Sequence, residues 1–268
     1  MTLISAAFRV EAEDLDRLVA GLGEDSWRRG TPAPGWTIAH QIGHLAWTDE
    51  VSLQALTDPE AFAEQTEAVR RSFRHIDLTA GHRAALPRDE LLASWREGRT
   101  RLADALDAAD PEAGVPWFGP PMRPRSMATA RLMETWAHGQ DVADALGVPR
   151  TPTDRLRDIC HLGVRTRDFA HRINGHQPPA HEFRLELLSP SDETWTWGPE
   201  DAPDRITGSA EDFCLVVTQR RDLADTSLRA EGSAAAHWLP IAQVYAGPPR
   251  GQRPADPPAV PSAHEAEG

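Results

Sequence analysis

Lysine is absent from this chain. All 28 basic residues are arginine, so no side chain can form a Schiff base or act as a lysine general base. Cysteine is scarce as well. Cys160 and Cys214 are too few for a disulfide framework, which predicts a reducing compartment and two buried structural thiols. No stretch approaches the roughly 18 apolar residues of a membrane span. The N-terminus has neither the basic region nor the apolar run of a secretory signal, so the expected location is the cytoplasm. Against the 28 arginines stand 41 acidic residues, for a formal net charge of −13. That speaks against nucleic acid or an anionic membrane as partner, since both need a basic surface. No internal repeat is visible. What remains is a globular composition, 40% hydrophobic and 26% charged over 268 residues, enough for one large domain or two smaller ones.

Periodicity divides the chain. Ile4 to Leu22 carries Phe8, Leu15, Leu18 and Val19 at helical spacing, and Thr37 to Leu56 carries Ile38, Ile42, Leu45, Leu53 and Leu56, stopped by Asp58-Pro59. Pro59 to Arg83 reads as a polar helix, and Asp89 to Ala108 as a clearer one with Leu91, Leu92, Trp95, Leu102 and Leu106 inward. With no strand signal among them, residues 1–148 are expected to form a helical bundle. After Pro149 the texture changes. Arg155 to Ile173 reads as one helix, Glu182 to Leu188 and Thr194 to Gly198 as a hairpin, and Arg205 to Gly208 as a third strand. A helix from Ala210 to Arg220, a strand from Thr226 to Ala230 and a closing helix from Ala234 to Tyr245 complete a small α+β domain over 149–247. The Pro- and Ala-rich residues 248–268 are expected to be a disordered tail.

The chemistry concentrates in a helix predicted from Ser126, as N-cap, to Leu146, with Gly147 in the C′ position and Pro149 beyond it. Glu134 and His138 are four apart and stack on one face, and Asp141 continues the stripe. Met127, Ala130, Ala137 and Ala145 complete that face, and their mostly small side chains leave room for a metal. A third ligand must come from a facing helix. His44 borders the apolar face of the Thr37–Leu56 helix, and His40, one turn earlier, competes with it. Two histidines and a glutamate leave coordination positions open, as a catalytic zinc does; nickel, iron and manganese suit the same ligand types. Asp141 either orients His138 or acts as a general base. Arg220 and Arg221, at a helix end, either complement the dipole in solvent or hold an acidic substrate. The Pro-rich loop around Trp117 and Phe118 either caps the bundle or walls a pocket.

The run Gly35-Trp36-Thr37-Ile38-Ala39-His40-Gln41-Ile42-Gly43-His44-Leu45-Ala46-Trp47, followed by Glu134-x-x-x-His138, resembles the DinB-like superfamily. Within it the chain is most similar to the mycothiol-dependent maleylpyruvate isomerase family. The resemblance implies an up-down four-helix bundle whose metal ligands fall on His44, Glu134 and His138. Ile206 to Ala210 and Val217 to Arg220 are similar to the family's sterol-carrier-like C-terminal domain, although Gln219-Arg220 stands where the family usually has Gly-Arg. It further implies a divalent metal, zinc first, and mycothiol as thiol cosubstrate. The implied activity is thiol transfer to, or isomerisation of, a small electrophile, with Asp141 and Arg220 as candidate catalytic residues. Two other readings stay open: a metal-dependent hydrolase on the same triad, and a non-catalytic module that binds a metal or ligand. The expected partners are small molecules, and the chain is expected to be a monomer or homodimer.

Overall fold

Helix α3 (Ile38–Thr57) is the axis of the fold. The structure, a computed structural model, describes residues 3–247, so the expected disordered tail lies outside the described residues. On α3 the apolar Ile38, Ile42, Leu45 and Val51 are fully buried, and so are Gln41, Asp49 and Ser52. The helix is therefore covered over most of its surface, by α4 (Pro59–Arg71), α5 (Arg74–Ala84), α6 (Arg88–Ala108) and α7 (Pro124–Leu146). Helix α1 (Ala6–Val19) lies against α6 and α7. On α6, Leu91, Trp95, Leu102 and Leu106 are sealed from solvent; each such side chain contributes roughly 1.5–3 kcal/mol by leaving water. Gly43 lets α5 cross α3 closely, because a Cβ there would stand 2.9 Å from the Ala80 carbonyl oxygen.

A polar tie joins α3 to α7. Arg131 Nε donates to Asp49 Oδ1 at 2.9 Å and Arg131 Nη2 donates to the Thr48 hydroxyl at 2.8 Å, with both ionic side chains buried. Removing one member of such a pair costs about 3–5 kcal/mol, because the other charge stays buried alone. The tie holds the two helices that carry the candidate ligands in one relative position.

Several predicted boundaries shift, each for a local reason. Helix α7 starts at Pro124, with Arg123 rather than Ser126 in the capping position. A proline has no N–H to leave unsatisfied, so it suits the first helical position. The C-terminus is as expected: Gly147 adopts the left-handed φ of 69°. The polar stretch from Pro59 divides into α4 and α5 where Ser72 is extended. Arg155–Ile173 divides into α8 (Leu156–Arg165) and α9 (Arg167–Ile173), separated by Thr166, whose hydroxyl donates back to Leu162 O at 3.0 Å. The closing helix α11 (Ser233–Trp238) gives way to a 3-10 turn over Leu239–Ile241 that contains Pro240, a residue without the N–H an α-helix requires.

The strands β1 (Arg184–Leu188), β2 (Thr194–Trp197), β3 (Arg205–Ser209) and β4 (Arg229–Glu231) form one sheet in the order β2-β1-β3-β4. β1 pairs antiparallel with β2, Leu185 opposite Trp197, and parallel with β3, Leu185 opposite Ile206. The last strand begins at Arg229, three residues later than predicted. Leu185, Leu187 and Ile206 face α10 (Ala210–Val217) and the core. Ion pairs connect this region to the helices: Arg150 and Arg155 both reach Glu11 of α1, which is only 1% exposed. Among the described residues no helix is long and apolar enough to cross a membrane.

Candidate metal centre

Three side chains converge between α3 and α7. His138 Nε2 lies 3.2 Å from Glu134 Oε2, and His44 Nε2 lies 3.5 Å from the same oxygen. One ligand atom from each of His44, Glu134 and His138 falls within 4.8 Å of the others. Helical spacing brings Glu134 over His138; the Arg131–Asp49 tie between α3 and α7 presents His44 to them. Two indoles frame the cluster. Trp36 stacks on His138 at 5.9 Å between ring centroids and 15° between planes, and also touches His44 at 5.2 Å; Trp47 flanks His44 at 6.0 Å.

A hydrogen-bond chain fixes the tautomer of His138. The Thr31 hydroxyl donates to the Trp36 carbonyl at 3.0 Å, so it accepts from Gln41 Nε2 at 2.8 Å. The other end of the Gln41 amide, its Oε1, then faces His138 Nδ1. An amide oxygen only accepts, so Nδ1 carries the proton and Nε2 presents a lone pair to Glu134. The imidazole is neutral, because burial and the neighbouring His44 push its pKa down to about 4. Burial also opposes ionisation of Glu134, but the adjacent His138 and His44 rings outweigh it and hold the carboxyl well below its ordinary value.

This donor set fits a divalent cation. A nitrogen lone pair and a carboxylate oxygen face each other with no proton of the chain between them. Two ligands bound about 2.0–2.1 Å from a tetrahedral zinc stand roughly 3.3–3.4 Å apart, and the separations of 3.2 and 3.5 Å bracket that value. His44 Nδ1 is buried without a hydrogen-bond partner. Its ring is held by the two indoles, whereas the His138 ring is held by a side-chain amide, the arrangement that commonly orients a ligating histidine.

The model of the mycothiol maleylpyruvate isomerase N-terminal domain family matches residues 8–143, which include all three candidate ligands. The chain belongs to this family. A second model, described as wyosine base formation, matches residues 179–231, the region of the sheet. Two curated relatives, each an uncharacterized protein of Mycobacterium tuberculosis (strains CDC 1551 / Oshkosh and ATCC 25618 / H37Rv), are 57% identical over 245 residues. The match covers 91% of this chain and 95% of theirs. A crystal structure of the mycothiol-dependent maleylpyruvate isomerase superposes with a TM-score of 0.59 at 17% identity, over 86% of this chain and 93% of that one. The structure of its histidine-to-alanine variant gives 0.58 at 16% identity, with the same coverage. At these identities the likeness is one of fold.

Relative to His44, Glu134 and His138, the other residues singled out by the sequence divide into near and far. His40 turns back to the start of its own helix: its Nδ1 accepts from Thr37 N at 3.3 Å and lies 2.8 Å from the Thr37 hydroxyl. Asp141 Oδ2 is 3.7 Å from His138 Nδ1, beyond hydrogen-bond range, and pairs with Arg220 Nη2 at 2.9 Å. Arg221 binds Asp144 through both terminal nitrogens. Neither arginine is a solvated helix-end residue. The Trp117–Phe118 loop folds over α3 and α4, with Phe118 against Trp47 at 6.4 Å and Trp117 stacked on Phe62 at 6.0 Å. Cys160 and Cys214 are buried against each other, Sγ to Sγ 3.5 Å, where burial pushes the Cys214 thiol well up. A thiol held protonated in this way is inert as a nucleophile.

Sequence reasoning overlooked Gln41, Thr31 and Trp36 as parts of the site. Gln41 carried a usable signal. It precedes His44 by three residues, which puts both on the same side of the helix.

Proposed function

We propose that the chain is a divalent-metal-dependent enzyme that uses a low-molecular-weight thiol, mycothiol or one like it, on a small electrophile. The reaction is transfer of the thiol or, after addition, rotation and elimination, isomerisation. The observation that carries this reading is the convergence of three possible ligand atoms while the tautomer of His138 is fixed from behind by Gln41. His44, Glu134 and His138 would hold the cation, with zinc as the first choice for two nitrogens and one oxygen. A bound divalent cation with open positions lowers the pKa of a thiol sulfur and so supplies thiolate at neutral pH.

The chain's own residues do the rest. Gln41 keeps the His138 lone pair aimed inward. Glu134 contributes the negative charge that a cation needs in a buried place. Arg220 and Asp141 act as a positioning pair that fixes the sheet region beside α7, while Trp117 and Phe118 help keep water from the Trp47 side of the cluster. Reduced thiols are maintained in the cytoplasm, which is where the reading locates the protein.

The test is thiol consumption by untagged protein loaded with zinc, with mycothiol and then cysteine as thiol and maleylpyruvate and a neutral alkylating agent as electrophiles. Metal-dependent consumption that disappears in His138→Ala is the expected result. No consumption with any pair, alongside metal-dependent ester or amide hydrolysis, would replace this reading with the hydrolase.

A further inference from the structure

His44 is held differently from the other candidate ligands. Its Nε2 faces Glu134 Oε2 at 3.5 Å, but its Nδ1 is buried without a hydrogen-bond partner among the described residues. No amide fixes that ring from behind, as Gln41 fixes His138. Packing orients it instead, and two indoles supply much of that packing: Trp36 at 5.2 Å and 55°, Trp47 at 6.0 Å and 51°.

The two indoles are themselves anchored unequally. Trp47 lies on α3, three residues after His44, so helical spacing alone puts the rings side by side. Its indole also meets His75 at 6.1 Å and Phe118 at 6.4 Å, and its N–H donates to Gln65 Oε1 at 3.2 Å. Trp36 precedes Thr37, the N-cap of α3, so helix geometry does not direct its side chain. Its indole N–H donates to Asp77 Oδ1 of α5 at 3.1 Å. Asp77 stands about one turn before Ala80, the residue at which α5 closes on Gly43 of α3. A largely buried indole needs an acceptor for its N–H, and an ionised carboxylate is the stronger kind.

We propose that Asp77 is a positioning residue of the metal centre: by fixing the Trp36 indole, it sets the His44 ring packed against that indole. The inference rests on the metal centre proposed above and not on the thiol chemistry. The indole spans both histidines, stacked on His138 at 5.9 Å and 15° while it touches His44. A rotation of Trp36 therefore disturbs two ligands at once. Of the two, His44 is the more exposed to it, because no hydrogen bond at Nδ1 resists the turn.

Zinc affinity of the untagged full chain, measured by competition with a chromophoric chelator, tests this without any assay of turnover. Asp77→Ala should weaken zinc about tenfold, the low end of the range for lost support of a ligating histidine, because the support acts through an intervening ring. Asp77→Asn keeps an acceptor oxygen and loses the charge, so it should keep the wild-type affinity. Both variants remove the same carboxylate from the first turn of α5, so both remove its interaction with the helix dipole. Equal loss in the two would assign the effect to the charge of Asp77 acting on the cation and overturn the proposal. Cobalt(II) in place of zinc supplies a spectroscopic signature: its visible bands should change shape in Asp77→Ala and keep it in Asp77→Asn. Undiminished affinity and an unchanged cobalt spectrum in Asp77→Ala would overturn the positioning role and leave the metal centre standing. Wild-type protein that binds neither ion would instead remove the metal centre, and this inference with it.

Discussion

Arg220 and Asp141 are 79 residues apart in sequence and 2.9 Å apart in space. Asp141 sits one turn beyond His138 with its side chain only 5% exposed, and Arg220 extends from the end of α10 to meet it. The sheet region is thereby pinned to the helix that carries two of the three candidate ligands. Arg220 Nη1 also donates to Thr218 O at 2.7 Å, so the guanidinium is held from both sides.

Replacing Arg220 by alanine should leave the Asp141 carboxylate buried and unpaired. The expected loss is roughly 1–3 kcal/mol in urea unfolding. The double variant Arg220→Met with Asp141→Asn should recover most of it, because no lone charge remains. Equal destabilisation in the single and double variants would show that the pair contributes by packing alone.

Metal content offers a second expectation. Untagged protein should retain close to one divalent ion per chain by elemental analysis, since the three ligand atoms converge on one point. His44→Ala and Glu134→Ala should each lose most of it and keep their far-UV circular dichroism. Chelation should also lower Tm, because a ligand bound only by the folded state stabilises it by mass action. Full metal retention in both variants would reject this ligand set.

How far the sequence reaches is visible in these same residues. Glu134 and His138 meet because four residues make about one helical turn, a rule that needs no tertiary information. Gly147 ends α7 as expected because a left-handed φ of 69° favours glycine. The helix breaks at Ser72 and Thr166 were not legible, since neither a proline nor a glycine marks them. The pairing of Arg220 with Asp141 was not legible either. Asp141 lies in α7 and Arg220 in the turn just after α10, and only the tertiary approach of that turn to α7 makes them partners. The sequence supplies the ligands more readily than the contacts that aim them.

The acid limb of stability supplies a pH prediction through Asp16, which joins α1 to α6. Hydrogen bonds from Arg96 at 2.6 and 2.8 Å, opposed by burial and aided by Arg99 at 2.6 Å, hold its carboxyl below the ordinary 3.8. A folded-state pKa lower than the unfolded one means the contribution is present above that ordinary value and is lost as pH falls through the folded one. The wild-type unfolding midpoint should therefore fall steeply below pH 3.8. Asp16→Asn should be less stable at neutral pH by roughly 0.5–1 kcal/mol, allowing for solvent screening, and its acid limb should be shallower. Parallel limbs for the two proteins would assign the acid sensitivity to other carboxylates.

The most informative single substitution is Gln41→Leu. Gln41 touches no reacting group, yet it accepts the only proton of the neutral His138 ring, and its own orientation is set by Thr31. Leucine keeps most of the volume and suits the buried face of α3, so folding should survive. What it removes is the acceptor: the imidazole becomes free to exchange tautomers and to rotate, and the lone pair at Nε2 is no longer guaranteed. Metal affinity should fall about 10–100-fold, the range typical for lost support of a ligating histidine. Gln41→Glu should instead retain or strengthen binding, since a carboxylate accepts the Nδ1 proton at least as well and raises the basicity of the ring. Competition titration with a chromophoric zinc chelator measures both variants directly. Should leucine and glutamate weaken zinc alike, His138 is held by packing against Trp36 and the hydrogen-bond chain behind it is incidental.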